Sequence, residues 1–233
     1  MQGGGSGEFS ATVYNLVGAW VTRQKAAILQ QLGAADEKAA DPEKLAAELK
    51  KAVDERLKVD YLVTGGWSDK AHKEAIRLLG PSKVNLVADA RKSAGGDGKF
   101  GTIPAESTWQ LSDDAAMVYY CDNETVDGVE FPGLPERLAP GPDGKGPLVV
   151  ADMSSNILSR AVPVRKYAAI FFGAQKNLGC AGITVVVIRK ELLAPQPAPE
   201  LLRQLGLPIG PIVLSYETIA KNNSLYNTLS IFE

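Results

Sequence analysis

The sequence predicts an α/β fold built on a mainly parallel or mixed sheet. Short apolar, β-rich runs recur at residues 59–64, 84–90, 116–121, 148–152, 167–172 and 183–188. Helical periodicity marks the stretches ahead of the first run and between the first two, and this alternation belongs to the α/β class. Several runs also stop abruptly at a glycine or a polar residue, where ligands of parallel sheets sit.

Each element has its own justification. The chain opens with Gly3-Gly-Gly-Ser-Gly7, and behind it Phe9, Val13, Leu16, Val17 and Trp20 share one helical face. Glycines running into a helix start suit a phosphate, because the backbone can come close and the free amides favour an anion. Such a loop ordinarily follows a strand and none precedes Gly3, so the chain reads as beginning mid-fold; the alternative is a flexible tail or linker. Residues 33–44 are polar and carry no β pattern. Asp41-Pro42 then reads as an N-cap with proline at the first helical position, and Leu45, Leu49, Val53 and Leu57 form the stripe of an amphipathic surface helix. The strand at 59–64 ends in Gly65-Gly66, with Trp67 on the turn and Ser68 capping a helix that ends near Leu79-Gly80-Pro81. His72 inside it reads as an ordinary surface or half-buried residue. Residues 93–113 read as a loop and 132–147 as a connection rich in Pro and Gly. After the last strand comes a short helical piece at 191–194, and from Leu201 on the chain reads as extended and irregular.

Composition narrows the function. Net charge is −2, which gives no electrostatic footprint for nucleic acid. The apolar runs are strand-length, far short of a membrane span. The start has neither the basic nor the apolar region of a signal peptide. His72 is the only histidine, so a histidine-based triad or multi-histidine metal site has little material, and no metal site is expected. Cys121 and Cys180 lack metal spacing and fit a reducing compartment, which points to the cytoplasm.

The chemistry concentrates at strand ends. The run 167–172 stops at Gly173, and Lys176 follows between Gln175 and Asn177. A lysine delivered by a buried strand into a polar turn is placed to lose its proton and form a Schiff base with an aldehyde cofactor; the plainer reading is a solvated loop lysine. Asp152 directly follows Val-Val-Ala, and a carboxylate there must be capped, paired or functional, either as a cap for a turn at 153–156 or as part of a site. Trp67 packs locally or offers its face to a flat heterocycle. The run 116–121 leads into Asp122-Asn-Glu-Thr125, a polar strand end of the kind that borders a ligand.

With these segments in view, the sequence resembles the phosphoserine aminotransferases, which are class V aminotransferases of the fold-type-I pyridoxal-phosphate architecture. The resemblance rests on residues 2–11, 65–68, 120–129, 150–155, 173–179 and 223–228, in the family's order. It implies the three-layer large domain of that fold, with a mainly parallel mixed sheet and pyridoxal 5′-phosphate as cofactor. It implies that Lys176 forms the Schiff base and shuttles the substrate proton, and that Asp152 pairs with the pyridine nitrogen. It further implies that Trp67 stacks on the ring, that Thr125 contacts the ring edge, and that Gly5, Ser6 and Gln175 hold the cofactor phosphate. Asn227 and Thr228 match the pair that reaches the phosphate of the neighbouring subunit's cofactor, which implies a homodimer with shared sites. The implied reaction is reversible amino transfer from glutamate to 3-phosphohydroxypyruvate, giving phosphoserine and 2-oxoglutarate in serine biosynthesis.

The sequence also departs from that pattern. Relatives start before the glycine-rich segment and continue past Thr228, and those parts supply the substrate's phosphate and carboxylate clamps. Residues 1–233 therefore read as an incomplete large domain lacking the small C-terminal one, with residues 19–58 as a charged helical insertion, and little turnover is expected of the chain alone. Another class V pyridoxal-phosphate enzyme, or an inactive fragment keeping only the cofactor residues, are the alternatives.

Overall fold

A computed structural model of the chain describes residues 3–93 and 98–225. Six strands form one sheet: β1 (Val59–Val63), β2 (Val84–Asp89), β3 (Val118–Cys121), β6 (Val149–Asp152), β7 (Ala169–Gly173) and β8 (Thr184–Ile188), in the order β2-β1-β3-β6-β7-β8. The first five run parallel, and β8 pairs antiparallel with β7 at the edge. The sheet is thus mixed and mostly parallel, as the sequence predicts. A separate two-stranded hairpin, β4 (Asn123–Glu124) and β5 (Val129–Glu130), leaves the end of β3.

Side chains alternate across a strand, so each face has its own core. On one face, Val59, Tyr61, Tyr119, Val150, Ala169 and Phe171 meet the helices α1 (Gly4–Gln31), α2 (Pro42–Arg56) and α3 (Gly66–Leu79). Phe9 of α1 stands edge-on to Tyr119 and Phe171, with ring centroids 6.2 and 6.4 Å away. On the other face, Leu62, Val118, Tyr120, Val149, Ala151 and Ile170 are covered by Trp109, Phe131, Leu138 and Tyr167, which come from loops and single 3₁₀ turns. The three layers are therefore helices, sheet and loops.

Helix α1 is buried well beyond the single predicted face: Ala11, Thr12, Asn15, Gly18 and Gln24 are covered as well. Separate segments cover them: a Cβ on Gly18 would lie 1.9 Å from the Gln196 side chain, Asn15 hydrogen-bonds Leu214 O and Tyr216 N, and Gln24 hydrogen-bonds Asp114 and Arg56. The Asp41 carboxylate accepts hydrogen bonds from Glu43 N and Lys44 N at 3.0 and 3.3 Å, so α2 starts where the N-cap and proline place it. Residues 19–58 send Trp20, Ile28, Leu45, Leu49, Val53 and Leu57 into the main core, so these two helices are packed parts of the domain.

Three local expectations differ from the structure. Ser68 is not the cap of α3: Gly65 is, and Ser68 lies three residues into the helix with its Oγ accepting from Thr64 N and Gly65 N at 2.9 and 3.2 Å. Trp67 accordingly belongs to the first turn of α3. Beyond Leu201 the chain is not irregular throughout, because α4 (Pro199–Gln204) and α5 (Tyr216–Lys221) form there. Pro199 sits at the first helical position, where a proline costs no hydrogen bond. Among the described residues no helix is long and apolar enough to cross a membrane.

Candidate active site

Strands β1, β3, β6 and β7 are parallel, so their C-terminal ends open on one edge of the sheet. Four segments leave that edge: the Gly65 turn into α3, the β4–β5 hairpin, the turn after Asp152 and the turn after Gly173. Register sets their depth, with Cys121 paired to Asp152 and Asp152 to Phe171. Asp152 shares the face of Phe171 and looks toward α1. A Cβ on Gly5 would lie 3.6 Å from its Oδ2, so the start of α1 closes over the carboxylate.

Asp152 is 6% exposed. Its Oδ1 accepts from Ser154 N at 2.9 Å and from Ser154 Oγ at 2.6 Å. Burial pushes its pKa up, while the two Ser154 bonds and the Lys176 charge pull it down. Asp152 thus organises the turn through Oδ1, while Oδ2 faces the start of α1.

Ser154 also builds the lysine turn. Its Oγ accepts from Gly173 N at 3.1 Å, and its carbonyl accepts from Asn177 N at 3.3 Å. Lys176 is exposed in that turn, and its Nζ sits 4.6 Å from the centroid of the Trp67 ring. Lys70 Nζ lies 4.2 Å from the same centroid. An indole face attracts cations, so the ring holds the lysine amine near the strand edge.

Trp67 is itself pinned from the hairpin. Glu124 accepts from Trp67 N at 2.9 Å and from Ser68 N at 2.8 Å, while Asp127 accepts from Gly66 N at 2.7 Å. Carboxylates belong at a helix start, where unpaired amides and the dipole favour negative charge. Only glycine fits at Gly65, where a Cβ would lie 2.4 Å from the Glu124 side chain. Thr125 is exposed in the turn of the same hairpin. Gln175 is exposed beside Lys176, and Ser6 is exposed beside the half-buried Gly5. The α1 ladder begins with Gly7 N donating to Gly3 O at 2.9 Å, so the amides of Gly4, Gly5 and Ser6 precede any carbonyl that the helix could offer them.

The structure therefore brings Lys176, Asp152, Trp67, Gly5, Ser6, Gln175 and Thr125 to one edge. Asn227 and Thr228 lie outside the described residues. Sequence reasoning missed Ser154, which couples the aspartate to the lysine turn, and assigned no role to Glu124; a serine two residues after an aspartate was the available signal for the first. A cavity of about 340 Å³ lined by Arg23, Ser112, Asp114, Arg137 and Leu148 lies at the opposite edge, at the starts of β3 and β6, remote from these groups.

A mostly parallel sheet with a lysine, a buried aspartate, an indole and a helix start at its C-terminal edge defines a class, and residues 84–232 match the Aminotransferase class-V family. The chain belongs to the class-V aminotransferases. Within that class its relatives are phosphoserine aminotransferases. It is 47% identical over 177 residues to that of Saccharomyces cerevisiae, covering 74% of this chain and 43% of that protein. The fold is similar to the solved phosphoserine aminotransferase of Bacillus circulans subsp. alkalophilus, with a TM-score of 0.66, 30% identity and coverage of 99% of this chain and 47% of that one. It is also similar to the pyridoxal-phosphate-bound enzyme of Trichomonas vaginalis, with a TM-score of 0.59, 34% identity and coverage of 93% and 57%. The chain spans about half the length of the curated relatives it matches.

Proposed function

We propose that this chain is the cofactor-holding large domain of a phosphoserine aminotransferase, residues 19–58 being a helical insertion within it. The reaction is transfer of the amino group of glutamate to 3-phosphohydroxypyruvate, reversibly, yielding phosphoserine and 2-oxoglutarate for serine biosynthesis in the cytoplasm. The observation that carries the reading is the placement of the Lys176 amine and the Asp152 carboxylate at neighbouring strand ends, within electrostatic reach of each other and with the Trp67 face against the lysine.

The residues present fit pyridoxal phosphate. Asp152 is a buried acceptor with one oxygen left for a ring nitrogen, and the amides of Gly4, Gly5 and Ser6 suit a phosphate. When bound, the cofactor supplies an aldehyde for an amine and a ring that accepts electrons. Lys176 offers the amine, and its Nζ moves the proton removed from the Cα of glutamate. Asp152 would hold the ring nitrogen protonated. Trp67 would support the ring face and Thr125 its edge, and Gln175 would join Gly5 and Ser6 in holding the phosphate. The family resemblance gives Asn227 and Thr228 the role of reaching the cofactor phosphate of a second subunit, which supports a homodimer as the working protein.

Borohydride labelling tests the reading. The purified chain incubated with pyridoxal phosphate turns yellow, and reduction fixes the cofactor on Lys176, with Lys176→Ala abolishing the label. A colourless protein, or a label on another lysine, sinks the proposal. Phosphoserine-dependent formation of glutamate from 2-oxoglutarate, assayed on the protein that contains this chain, tests the substrate.

A further inference from the structure

One arginine closes a network that the roles above leave out. Asp122 directly follows β3 and is 1% exposed, and its N–H donates to Asp152 O at 2.9 Å. Its Oδ2 accepts from Arg160 Nη2 and from Asn156 Nδ2, the latter at 2.5 Å. Glu130 stands on β5, the return strand of the hairpin. Its Oε1 accepts from the same two side chains, from Arg160 Nη1 at 2.9 Å and from Asn156 Nδ2 at 2.8 Å. The two carboxylates at the base of the hairpin therefore share one amide nitrogen and are near neighbours. Like charges that close repel, and a buried carboxylate without a partner is costly. A planar guanidinium that reaches both offsets the repulsion in a way a point charge does not.

The segment after Asp152, which carries Asn156 and Arg160, is tied on two further sides. Asn123 Nδ2 donates to Ser155 Oγ at 3.0 Å, and Ser155 Oγ donates to Asn123 O at 3.1 Å. Asn177 of the lysine turn donates through Nδ2 to Ile157 O. The hairpin holds the Trp67 amide through Glu124, and the segment holds Asp152 through Ser154. Resting on the cofactor reading above, we propose that Arg160 is a positioning residue for the cofactor: by bridging Asp122 and Glu130 it locks the hairpin that holds Trp67 against the turn that holds Asp152 and Lys176. It acts through charge, because without it the two carboxylates repel across that joint and the hairpin moves off the turn. The titratable and charged neighbours of Asp122 are Tyr120 from β3, Glu130 from β5, Arg160 from the turn, Tyr167 ahead of β7, and Asp152 at the end of β6. Burial raises the Asp122 pKa, and the Asn156 bond and the Arg160 charge lower it. Loss of the guanidinium raises it further, so the repulsion is full at alkaline pH and is relieved as Asp122 takes up a proton.

The test separates charge from packing. The dissociation constant of pyridoxal phosphate is measured by absorbance on the full chain between pH 5.5 and 8.5, for the wild type, Arg160→Met, and Arg160→Met combined with Asp122→Asn. Methionine keeps an aliphatic stem and removes the charge. At pH 8.5 the single variant binds at least about tenfold more weakly than the wild type, and this ratio shrinks as pH falls. The double variant, whose residue 122 cannot ionise, recovers most of the affinity and keeps a ratio that does not vary with pH. A ratio near one at pH 8.5, a ratio for the single variant that is constant with pH, or a double variant no better than the single one overturns the inference, because lost packing responds neither to pH nor to Asp122. Should Arg160→Met fail to fold, a double variant that folds and binds upholds the role of charge, and a double variant that also fails to fold overturns it. A wild type that binds no pyridoxal phosphate overturns the cofactor reading itself, whereas equal binding by wild type and Arg160→Met overturns only the role of Arg160.

Discussion

At the residue scale the site depends on side chains that connect two neighbours. Ser154 binds Asp152 through N–H and Oγ and binds the lysine turn through Oγ and its carbonyl. Ser154→Ala removes the hydroxyl bond to a buried carboxylate and leaves Gly173 N unpaired. Each such loss costs about 1–3 kcal/mol. The expected outcome is a weaker cofactor complex, read as a dissociation constant at least about tenfold higher, together with a lower melting temperature; an unchanged constant refutes the coupling. Glu8, buried in α1 with the Tyr216 hydroxyl on its Oε2, provides a pH prediction for the cofactor-free protein. Its pKa is 4.5 in the unfolded chain and about 7 in the folded one. Below pH 4.5 the group is protonated in both states; between 4.5 and 7 the unfolded chain ionises it first, so folding stability falls as pH rises, and above about 7 the loss is complete. That gap corresponds to about 3 kcal/mol. Urea unfolding of Glu8→Gln should therefore match the wild type near pH 4.5 and exceed its stability near pH 8, whereas a constant difference at both pH values would show that Glu8 does not titrate as stated.

At the element scale the start of α3 is the joint that matters. Its amides are satisfied by Glu124 and Asp127 from the hairpin after β3, so the strand end, the hairpin and Trp67 move together. Burial raises the Glu124 pKa, and the Ser68 and Trp67 hydrogen bonds lower it, which is the balance of a carboxylate held as a cap. Glu124→Ala strips two amides of their partner, at a cost of about 1–3 kcal/mol. It also frees the turn that positions Trp67, so quenching of Trp67 fluorescence by added pyridoxal phosphate should weaken. Full quenching in this variant would mean that the hairpin does not position the ring. This joint was half legible in the sequence. Gly65-Gly66-Trp67 marked a strand end and Ser68 a helix start, but the capping carboxylate lies 57 residues from Trp67. Local propensity contains no term for such a partner. The same limit hid α4 and α5, since residues 195–199 carry three prolines and the helices behind them are six residues each, short enough that tertiary contacts decide them.

At the scale of the whole molecule, the loops that leave the site edge expose apolar side chains. Val126 follows Thr125 and is 82% exposed, Leu158 follows the Asp152 turn at 71%, and Ile183 closes the lysine loop at 61%. Apolar groups collected along one edge suit a surface that another body covers, and the homodimer proposed above would cover it. Sedimentation should give a mass near twice 24.8 kDa, and Val126→Glu with Leu158→Glu should shift it toward the single chain. A 24.8-kDa species at every concentration in the wild type would refute the dimer.

The sequence by itself determined the class of sheet, the order of its strands along the chain, and the identity of the groups at their ends, because apolar period and turn chemistry are local. Lys176, Asp152 and Trp67 stood out for that reason. Only the tertiary structure decided which strand ends are neighbours, since the order β2-β1-β3-β6-β7-β8 follows from pairing across distant segments. That pairing sets Ser154 between the aspartate and the lysine turn, Glu124 under Trp67, and Glu8 against Tyr216 across 208 positions of chain. Desolvation acts on a residue only through what folds over it, so the buried acid in α1 could not be read from its neighbours in sequence.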